Sequence, residues 1–299
     1  MGIDELKELA VKIQEKKILV QLPAGLMPRA GEIEGFFRGK KVFFSAHPCF
    51  GACDVQEFVA QKIGATAILN IGHSRMDLKT RIPLYFIEWR LPFPDLPQIK
   101  GLPKKVGLVT TIQYVYEINR FRQQLESQGY EVYIGMPGQV CTYRGQVSGC
   151  DIRSATSISH EVGGFLFIGS SRFHSLKIAV DCQKPVWLVD EAGNIKKIDE
   201  NEVKMELRKM EARKSRALEH KSYGLLVSTK LGQFRLEQAE QLKKKLEKMG
   251  KKALVIVGNI FRSEEIGNFD VDAFVTTACP RLVDDYEAFG KPIYSLEDF

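Results

Sequence analysis

The sequence predicts an α/β protein made of three repeated units, each a small parallel sheet with flanking helices. Short apolar runs alternate with helical patterns along the whole chain, which is typical of βαβ units. The runs recur in a fixed order, and the third run of each unit leads into a short loop with an arginine, at residues 73–75, 170–172 and 279–281. We expect units at 1–98, 99–199 and 200–299, arranged with pseudo-threefold symmetry.

The elements of each unit follow from these patterns. First strands are predicted at 17–20, 106–109 and 224–227, and third strands at 67–72, 165–169 and 273–278. Each fourth strand is led by a proline, at positions 83, 185 and 292. A charged helix from Glu200 to about His220 should bridge the second and third units on the surface. The alternative fold is one continuous doubly wound sheet. In either fold, ligands should bind at the carboxyl ends of the strands, where the arginine loops lie.

The bulk composition excludes several classes of protein. The 299 residues are 44% apolar and 27% charged, as in ordinary globular proteins. The chain lacks an apolar run near the roughly 18 residues of a membrane helix, and its charged N-terminus is no secretory signal. We therefore expect a cytoplasmic protein without membrane association. The net charge of +6 is a mild excess, and nucleic-acid-binding motifs are absent, so direct nucleic-acid binding is not expected.

Two of the six cysteines occupy equivalent positions in the repeat. From Cys53 to Gly72 and from Cys150 to Gly169 the separation is 19 residues. In the third unit, Cys279 instead ends the third strand. A disulfide framework is not expected in an intracellular chain of this kind. Cys49 is interpreted as a core thiol or as a thiol that supports a neighbouring metal ligand, with a ligand role as the alternative. Cys141 and Cys182 lie outside the repeated positions and are interpreted as packing residues.

Three equivalent units around one axis would bring three thiolates to a common point. Thiolates ligate iron–sulfur clusters, and three of them leave one iron open to a substrate. Zinc is the competing metal, with His73 as a fourth ligand, since structural zinc sites have four. From spacing alone, a cluster, a zinc site and three packing cysteines all remain open.

Four motifs together give the sequence a specific resemblance. They are residues 47–55, with the sequence HPCFGACDV, residues 147–151, residues 172–174 and residues 277–281. The chain resembles the diphthamide synthase family, most closely its archaeal, single-subunit form, from about Lys17 to the C-terminus. The resemblance implies three α/β domains, a homodimer, and a 4Fe–4S cluster ligated by Cys53, Cys150 and Cys279.

The resemblance also implies a reaction. The family transfers the 3-amino-3-carboxypropyl group of S-adenosylmethionine to the imidazole C2 carbon of one histidine in translation elongation factor 2. Imidazole nitrogens are the natural nucleophiles, so forming a carbon–carbon bond at C2 calls for a radical, which the cofactor supplies. The usual radical-enzyme signature, Cys-x3-Cys-x2-Cys, is absent, because Gln56 stands where its third cysteine would be. We therefore expect a noncanonical radical transferase.

Candidate residues for binding S-adenosylmethionine lie in the strand-end loops. The guanidinium groups of Arg75, Arg172 and Arg281 can bind its carboxylate bidentately. His73 and Ser74 share the first of these loops. Gly232 and Gln233 lie in a loop after a strand, where backbone N–H groups can face an anion. The sequence assigns no further catalytic residue.

Two other functions remain as alternatives. One is a lyase of the quinolinate synthase type, which also has three pseudo-symmetric units and a three-cysteine cluster whose open iron acts as a Lewis acid. The other is a non-catalytic iron–sulfur scaffold.

Overall fold

The short apolar strands assemble into three separate sheets in the computed structural model, which describes residues 2–283 and 286–299. The first sheet contains β1 (Lys17–Gln21), β2 (Lys41–Phe44), β3 (Ala67–Ile71) and β4 (Leu84–Ile87). The second contains β5 (Lys105–Thr110), β6 (Glu131–Tyr133), β7 (Gly164–Ile168), β8 (Val186–Val189) and β9 (Ile195–Lys197). The third contains β10 (Ser222–Ser228), β11 (Lys252–Gly258), β12 (Ala273–Thr276) and β13 (Ile293–Ser295).

Helices connect most of these strands. They are α1 (Gly2–Lys12), α2 (Ala30–Phe36), α3 (Glu57–Lys62), α4 (Ile118–Ser127), α5 (Arg153–Thr156), α6 (Arg172–Cys182), α7 (Glu200–Arg216), α8 (Leu236–Lys248), α9 (Ser263–Ile266) and α10 (Tyr286–Phe289). The connecting helix α7 has only exposed or half-buried residues, as its sparse apolar stripe predicts. Among the described helices, none is both long and apolar enough to cross a membrane.

The three sheets share one strand order. Each has its second, first, third and fourth strands side by side, and these four strands are parallel. The prediction of three parallel-sheet units is therefore confirmed, and the continuous doubly wound sheet is wrong. The second sheet adds β9 antiparallel to β8. This strand was not predicted because its three residues are all exposed and carry no apolar pattern.

The prolines before the fourth strands make the same contact in every sheet. Their carbonyl oxygens each accept a backbone hydrogen bond of 2.9 Å from the third strand, in the pairs Pro83 with Ile68, Pro185 with Phe165, and Pro292 with Phe274. Proline lacks an N–H and cannot donate to a sheet ladder, but it is tolerated just before a strand, where only its carbonyl oxygen is needed. The prolines that repeat in the sequence therefore occupy equivalent hydrogen-bonding positions in the three sheets.

The chain divides into two compact units, Met1–Val203 and Lys204–Phe299. The first unit contains two of the sheets and the second unit contains one. The third strand of each sheet is completely buried, so apolar groups on both of its faces are removed from water. In all three sheets the carboxyl ends of the strands carry the cysteine and arginine loops.

Candidate functional site

The six cysteines fall into two groups by their surroundings. Burial raises the pKa of Cys49, Cys141 and Cys182 to about 12, and a neighbouring aspartate adds to each shift. These three therefore remain thiols at neutral pH. Cys53 and Cys279 are half-buried and Cys150 is exposed, and all three lie on loops that follow a strand. The three cysteines expected as ligands are thus the strand-end-loop cysteines that are not fully buried, whereas Cys49 and Cys141 are buried on two of the same loops.

The Cys53 loop joins β2 to α3 and is tied to the end of β1. The side-chain amide of Gln21 donates to the carbonyl of Asp54 over 2.8 Å, and the Gln21 oxygen accepts the N–H of Gln56 at 3.0 Å. Gln21 is completely buried. Because an unpaired amide would be costly there, these bonds fix the segment that follows Cys53.

The Cys150 loop joins β6 to α5 and closes in a tight turn. The N–H of Ser148 donates to the carbonyl of Asp151 at 2.8 Å, and Cys150 occupies the turn between them. The Asp151 carboxylate accepts the backbone N–H of Val140 at 2.9 Å and of Arg153 at 3.1 Å. The turn therefore presents the Cys150 side chain to solvent while its flanks are held.

The third candidate lies in the second compact unit. Cys279 follows β12 and precedes a short 3₁₀ helix, Pro280–Val283, whose Leu282 N–H donates to the Cys279 carbonyl at 3.1 Å. The hydroxyl of Thr276 accepts the N–H of Ala278 at 3.1 Å. Arg281 is exposed on the same 3₁₀ helix, two residues after the cysteine.

A polar seam joins the ends of the first two sheets. The side-chain amide of Gln146 donates to the Ser74 hydroxyl over 2.9 Å, and the Thr142 hydroxyl donates to the carbonyl of Arg75 over 3.1 Å. Tyr143 donates to the carboxylate of Glu88, which follows β4, over 2.9 Å. The loop that begins at Ser74 is therefore in contact with the segment that leads to Cys150.

His73 is neutral in this structure. Burial lowers its pKa to about 4, although the Asp54 carboxylate opposes the shift. Its Nδ1 lies 2.8 Å from the Asn70 side-chain oxygen, while the Asn70 amide group donates to the sulfur of Cys49 at 3.3 Å. The Asn70 oxygen must therefore accept, and Nδ1 carries the imidazole hydrogen. His73, Asn70 and Cys49 form one hydrogen-bonded chain behind the Cys53 loop.

The predicted S-adenosylmethionine contacts differ in their surroundings. The Arg75 side chain is exposed, whereas Ser74 is buried and engaged by Gln146. Arg172 begins α6 and makes an ion pair of 2.5 Å with Glu202. A carboxylate ligand would have to displace that partner. The role of these residues in binding the cosubstrate stays a prediction.

The loop after β10 contains a backbone hydrogen bond between two of its own residues. Gly232 and Gln233 lie in a 3₁₀ helix, Leu231–Gln233, and the N–H of Gln233 donates to the Lys230 carbonyl at 2.9 Å. That N–H is thereby engaged within the loop. Lys230 is only 8% exposed, which is unusual for a lysine.

Several buried polar residues near the loops were not selected as site residues from the sequence. They are Gln21, Asn70, Gln146 and Lys230. Gln21 ends an apolar strand and Asn70 lies inside one, which is a signal that could have identified both. Gln146 and Lys230 lie in irregular segments, where burial leaves no periodic pattern. Across the described residues, His, Cys, Asp and Glu side chains form no group of three or more suited to a metal ion.

Comparison with known proteins decides the family. The family model for diphthamide synthesis proteins matches residues 22–299. The 2-(3-amino-3-carboxypropyl)histidine synthase of Pyrococcus horikoshii is 35% identical, with 98% of this chain and 87% of the relative covered. The synthase of Methanocaldococcus jannaschii is 30% identical, with 95% and 83% covered. The chain belongs to the diphthamide synthesis family.

A solved structure of the family agrees with this assignment. The crystal structure of Dph2 from Pyrococcus horikoshii with a 4Fe–4S cluster superposes with a TM-score of 0.86 at 32% identity, covering 99% of this chain and 88% of that one. The named relatives are synthases that transfer a group, so the chain is a transferase of the diphthamide synthesis family.

Proposed function

We propose that this chain transfers the 3-amino-3-carboxypropyl group of S-adenosylmethionine to the imidazole C2 carbon of a histidine in translation elongation factor 2. This is the first step of diphthamide biosynthesis. The observation that carries the proposal is a difference in burial among the cysteines of the strand-end loops: Cys53, Cys150 and Cys279 are half-buried or exposed, whereas Cys49 and Cys141 are buried, protonated thiols. Cys182 is also protonated and ends helix α6. The synthase names of the relatives support the reaction.

The same three cysteines are proposed to hold a 4Fe–4S cluster. The residue types suit this group, because thiolates are the usual ligands of iron–sulfur clusters, and three of them, one from each sheet, would leave one iron open. We propose that residues 1–98, 99–199 and 200–299 act as three domains with pseudo-threefold symmetry around it, and that the chain works as a homodimer. When bound, the cluster would supply one electron and an iron without a protein ligand.

The overall reaction balances in atoms and charge. The bond between the sulfonium and the γ-carbon breaks, and the γ-carbon joins C2 of the imidazole. The products are 5′-methylthioadenosine, the modified histidine and one proton. One electron is consumed when the carbon–sulfur bond breaks, and one is released when the imidazole C2 carbon loses its proton, so the reaction is redox-neutral overall. Because a polar transfer would alkylate an imidazole nitrogen, a carbon–carbon bond at C2 requires radical chemistry.

The chain's own residues would bind and orient the cosubstrate. Arg75 is exposed beside the segment leading to Cys150, and Arg281 lies two residues after Cys279. Either guanidinium can hold the methionine carboxylate bidentately. Arg172 would join them by exchanging Glu202 for that carboxylate. Neutral His73 and the loop with Gly232 and Gln233 are proposed to contact the remainder of the cosubstrate.

One anaerobic assay tests the proposal. Purified protein, reconstituted with iron and sulfide and reduced, is incubated with elongation factor 2 and S-adenosylmethionine labelled in the aminocarboxypropyl group. The label is expected on a single histidine of the factor, bound at carbon. Absence of transfer with an intact cluster and an active reductant would contradict the proposed activity.

A further inference from the structure

Two buried thiols stand in the same relation to two of the loop cysteines. The sulfur of Cys49 lies 3.4 Å from the backbone carbonyl oxygen of Asp54 and 3.2 Å from that of Gly51, so its single hydrogen is shared between the two carbonyls on either side of Cys53. The sulfur of Cys141 donates to the backbone carbonyl of Asp151 at 3.7 Å. Each aspartate directly follows a loop cysteine, Cys53 or Cys150. Each thiol therefore binds the peptide next to a proposed ligand.

The carboxylates of the same two aspartates accept backbone N–H groups at or next to the buried cysteines. The Asp54 carboxylate accepts the N–H of Phe50, next to Cys49, at 3.4 Å. The Asp151 carboxylate accepts the N–H of Cys141 itself at 3.2 Å. Both aspartates are buried. We call this reciprocal pair of bonds, thiol to carbonyl and backbone N–H to carboxylate, the thiol–aspartate contact.

The recurrence of this contact does not follow from a shared spacing. Cys49 precedes Cys53 by four residues, whereas Cys141 precedes Cys150 by nine. Two loops that differ in length and sequence therefore form corresponding hydrogen bonds at the aspartate that follows a proposed ligand. The third packed thiol, Cys182, lies at the end of α6 against the apolar core of the second sheet. It provides a matched control.

We propose that Cys49 and Cys141 are positioning residues that hold the peptides after Cys53 and Cys150, and so set the direction of the two ligand sulfur atoms. This inference rests on the proposed cluster. A backbone carbonyl that is fixed on one side of a loop residue limits the dihedral angles available to that residue. Groups that orient a metal ligand contribute strongly to metal affinity, typically by a factor of about 10 to 100.

Comparing alanine with serine at each packed cysteine distinguishes the loss of the thiol hydrogen bond from the loss of side-chain packing. Both substitutions remove the sulfur atom, but serine replaces it with a smaller hydroxyl that keeps a hydrogen-bond donor, whereas alanine keeps none. We therefore compare Cys49→Ala with Cys49→Ser, Cys141→Ala with Cys141→Ser, and Cys182→Ala with Cys182→Ser. The measurements are iron retained by anaerobically reconstituted full-length protein against a chelator, and the electron paramagnetic resonance spectrum of the reduced cluster.

The alanine variants at 49 and 141 are expected to retain iron about 10-fold less tightly, with an altered spectrum, and serine should restore part of both. Both variants at 182 should match the wild type. If Cys49→Ala and Cys141→Ala behave like Cys182→Ala while Cys53→Ala loses its iron, the positioning role is wrong and the cluster stands. If Cys53→Ala keeps full iron, the ligand scheme itself fails, and the positioning role with it.

A further variant tests the second loop without altering a thiol. A Cβ atom added at Gly138 would lie 2.3 Å from both carboxylate oxygens of Asp151. Gly138→Ala must therefore displace the carboxylate that holds Cys141, and it should reproduce the spectral change of Cys141→Ala. This variant decides the question for the Cys150 loop if Cys141→Ala prevents folding. A wild-type spectrum for Gly138→Ala would overturn the proposal for the Cys150 loop.

Discussion

The side-chain amide of Gln146 donates to the hydroxyl of Ser74 over 2.9 Å, and this buried bond ties the loop after β3 to the segment that leads to Cys150. The Gln146 oxygen meanwhile accepts the N–H groups of Thr142 and Tyr143 at 2.9 and 3.1 Å. One side chain thus organises its own loop and joins it to the neighbouring sheet.

Replacing Gln146 with methionine should lower the free energy of unfolding by about 2 kcal/mol, because the buried Ser74 hydroxyl and two partly buried backbone N–H groups lose a partner at similar side-chain volume. Urea unfolding followed by circular dichroism measures the difference. The control is Gln123→Met on α4, where the side chain is exposed and the effect should stay within about 0.5 kcal/mol. Equal stability of the two variants would show that the seam contributes little.

The ligand scheme predicts which cysteines carry iron. Anaerobically purified protein should contain about four irons per chain, and alanine at Cys53, Cys150 or Cys279 should deplete both iron and activity. Cys182→Ala should do little, since that thiol packs against the core. Iron analysis of the four variants is sufficient. Full iron content in Cys279→Ala would rule out one ligand from each sheet.

His73 should make the stability depend on pH in a defined window. Its folded pKa of about 4 lies below the ordinary histidine value of 6.5. Between these values the unfolded chain binds a proton that the folded chain does not, so stability falls as the pH drops from about 6.5 to about 4. The contribution of this one group is at most about 1.4 kcal/mol per pH unit, and it vanishes above pH 6.5.

Urea titrations of wild type and His73→Gln at several pH values measure this contribution. The variant should lose stability less steeply over the window, and the two curves should run parallel above it. His160→Gln provides a matched substitution at an exposed histidine. Identical slopes for wild type and His73→Gln would mean that His73 is charged in the folded protein.

The small-molecule product reports which carbon–sulfur bond of S-adenosylmethionine breaks. Standard radical enzymes release 5′-deoxyadenosine, but this chain lacks their cysteine motif and draws its proposed ligands from three sheets. The sulfonium should meet the open iron in another orientation, and geometry at the reacting atoms decides such outcomes. Reduced enzyme should therefore release 5′-methylthioadenosine. Chromatography showing 5′-deoxyadenosine as the main product would exclude this mechanism even with the cluster confirmed.

Much of the fold could be predicted because it repeats. Strands, prolines and loops recurred at similar separations, so three weak patterns supported each other, and the parallel sheets followed. The antiparallel β9 gave no signal, since a short strand with both faces exposed has no apolar periodicity. The buried thiol of Cys141 was expected to pack, and it does.

The hydrogen bonds around the loops could not be predicted from the sequence, and the reason is physical. A hydrogen bond between Cys141 and Asp151 or between Gln146 and Ser74 depends on the path of an irregular loop, and side-chain type alone does not specify that path. Periodicity reports burial on regular elements only. Polar residues within buried strands, such as Asn70, were visible in the sequence and could have been selected.

The common strand order bears on how the three units should be compared. In each sheet the first strand lies between the second and the third, so the loops after these two leave the sheet roughly 10 Å apart, two strand spacings. Cys53 and Cys150 use the loop after the second strand, and Cys279 uses the loop after the third. The proposed ligand of the third sheet therefore lies on a different loop of the same sheet edge from its two counterparts, although the strand order is unchanged. The three units are therefore comparable by position on the sheet edge, and residue-by-residue alignment of their loops would pair Cys279 with neither Cys53 nor Cys150.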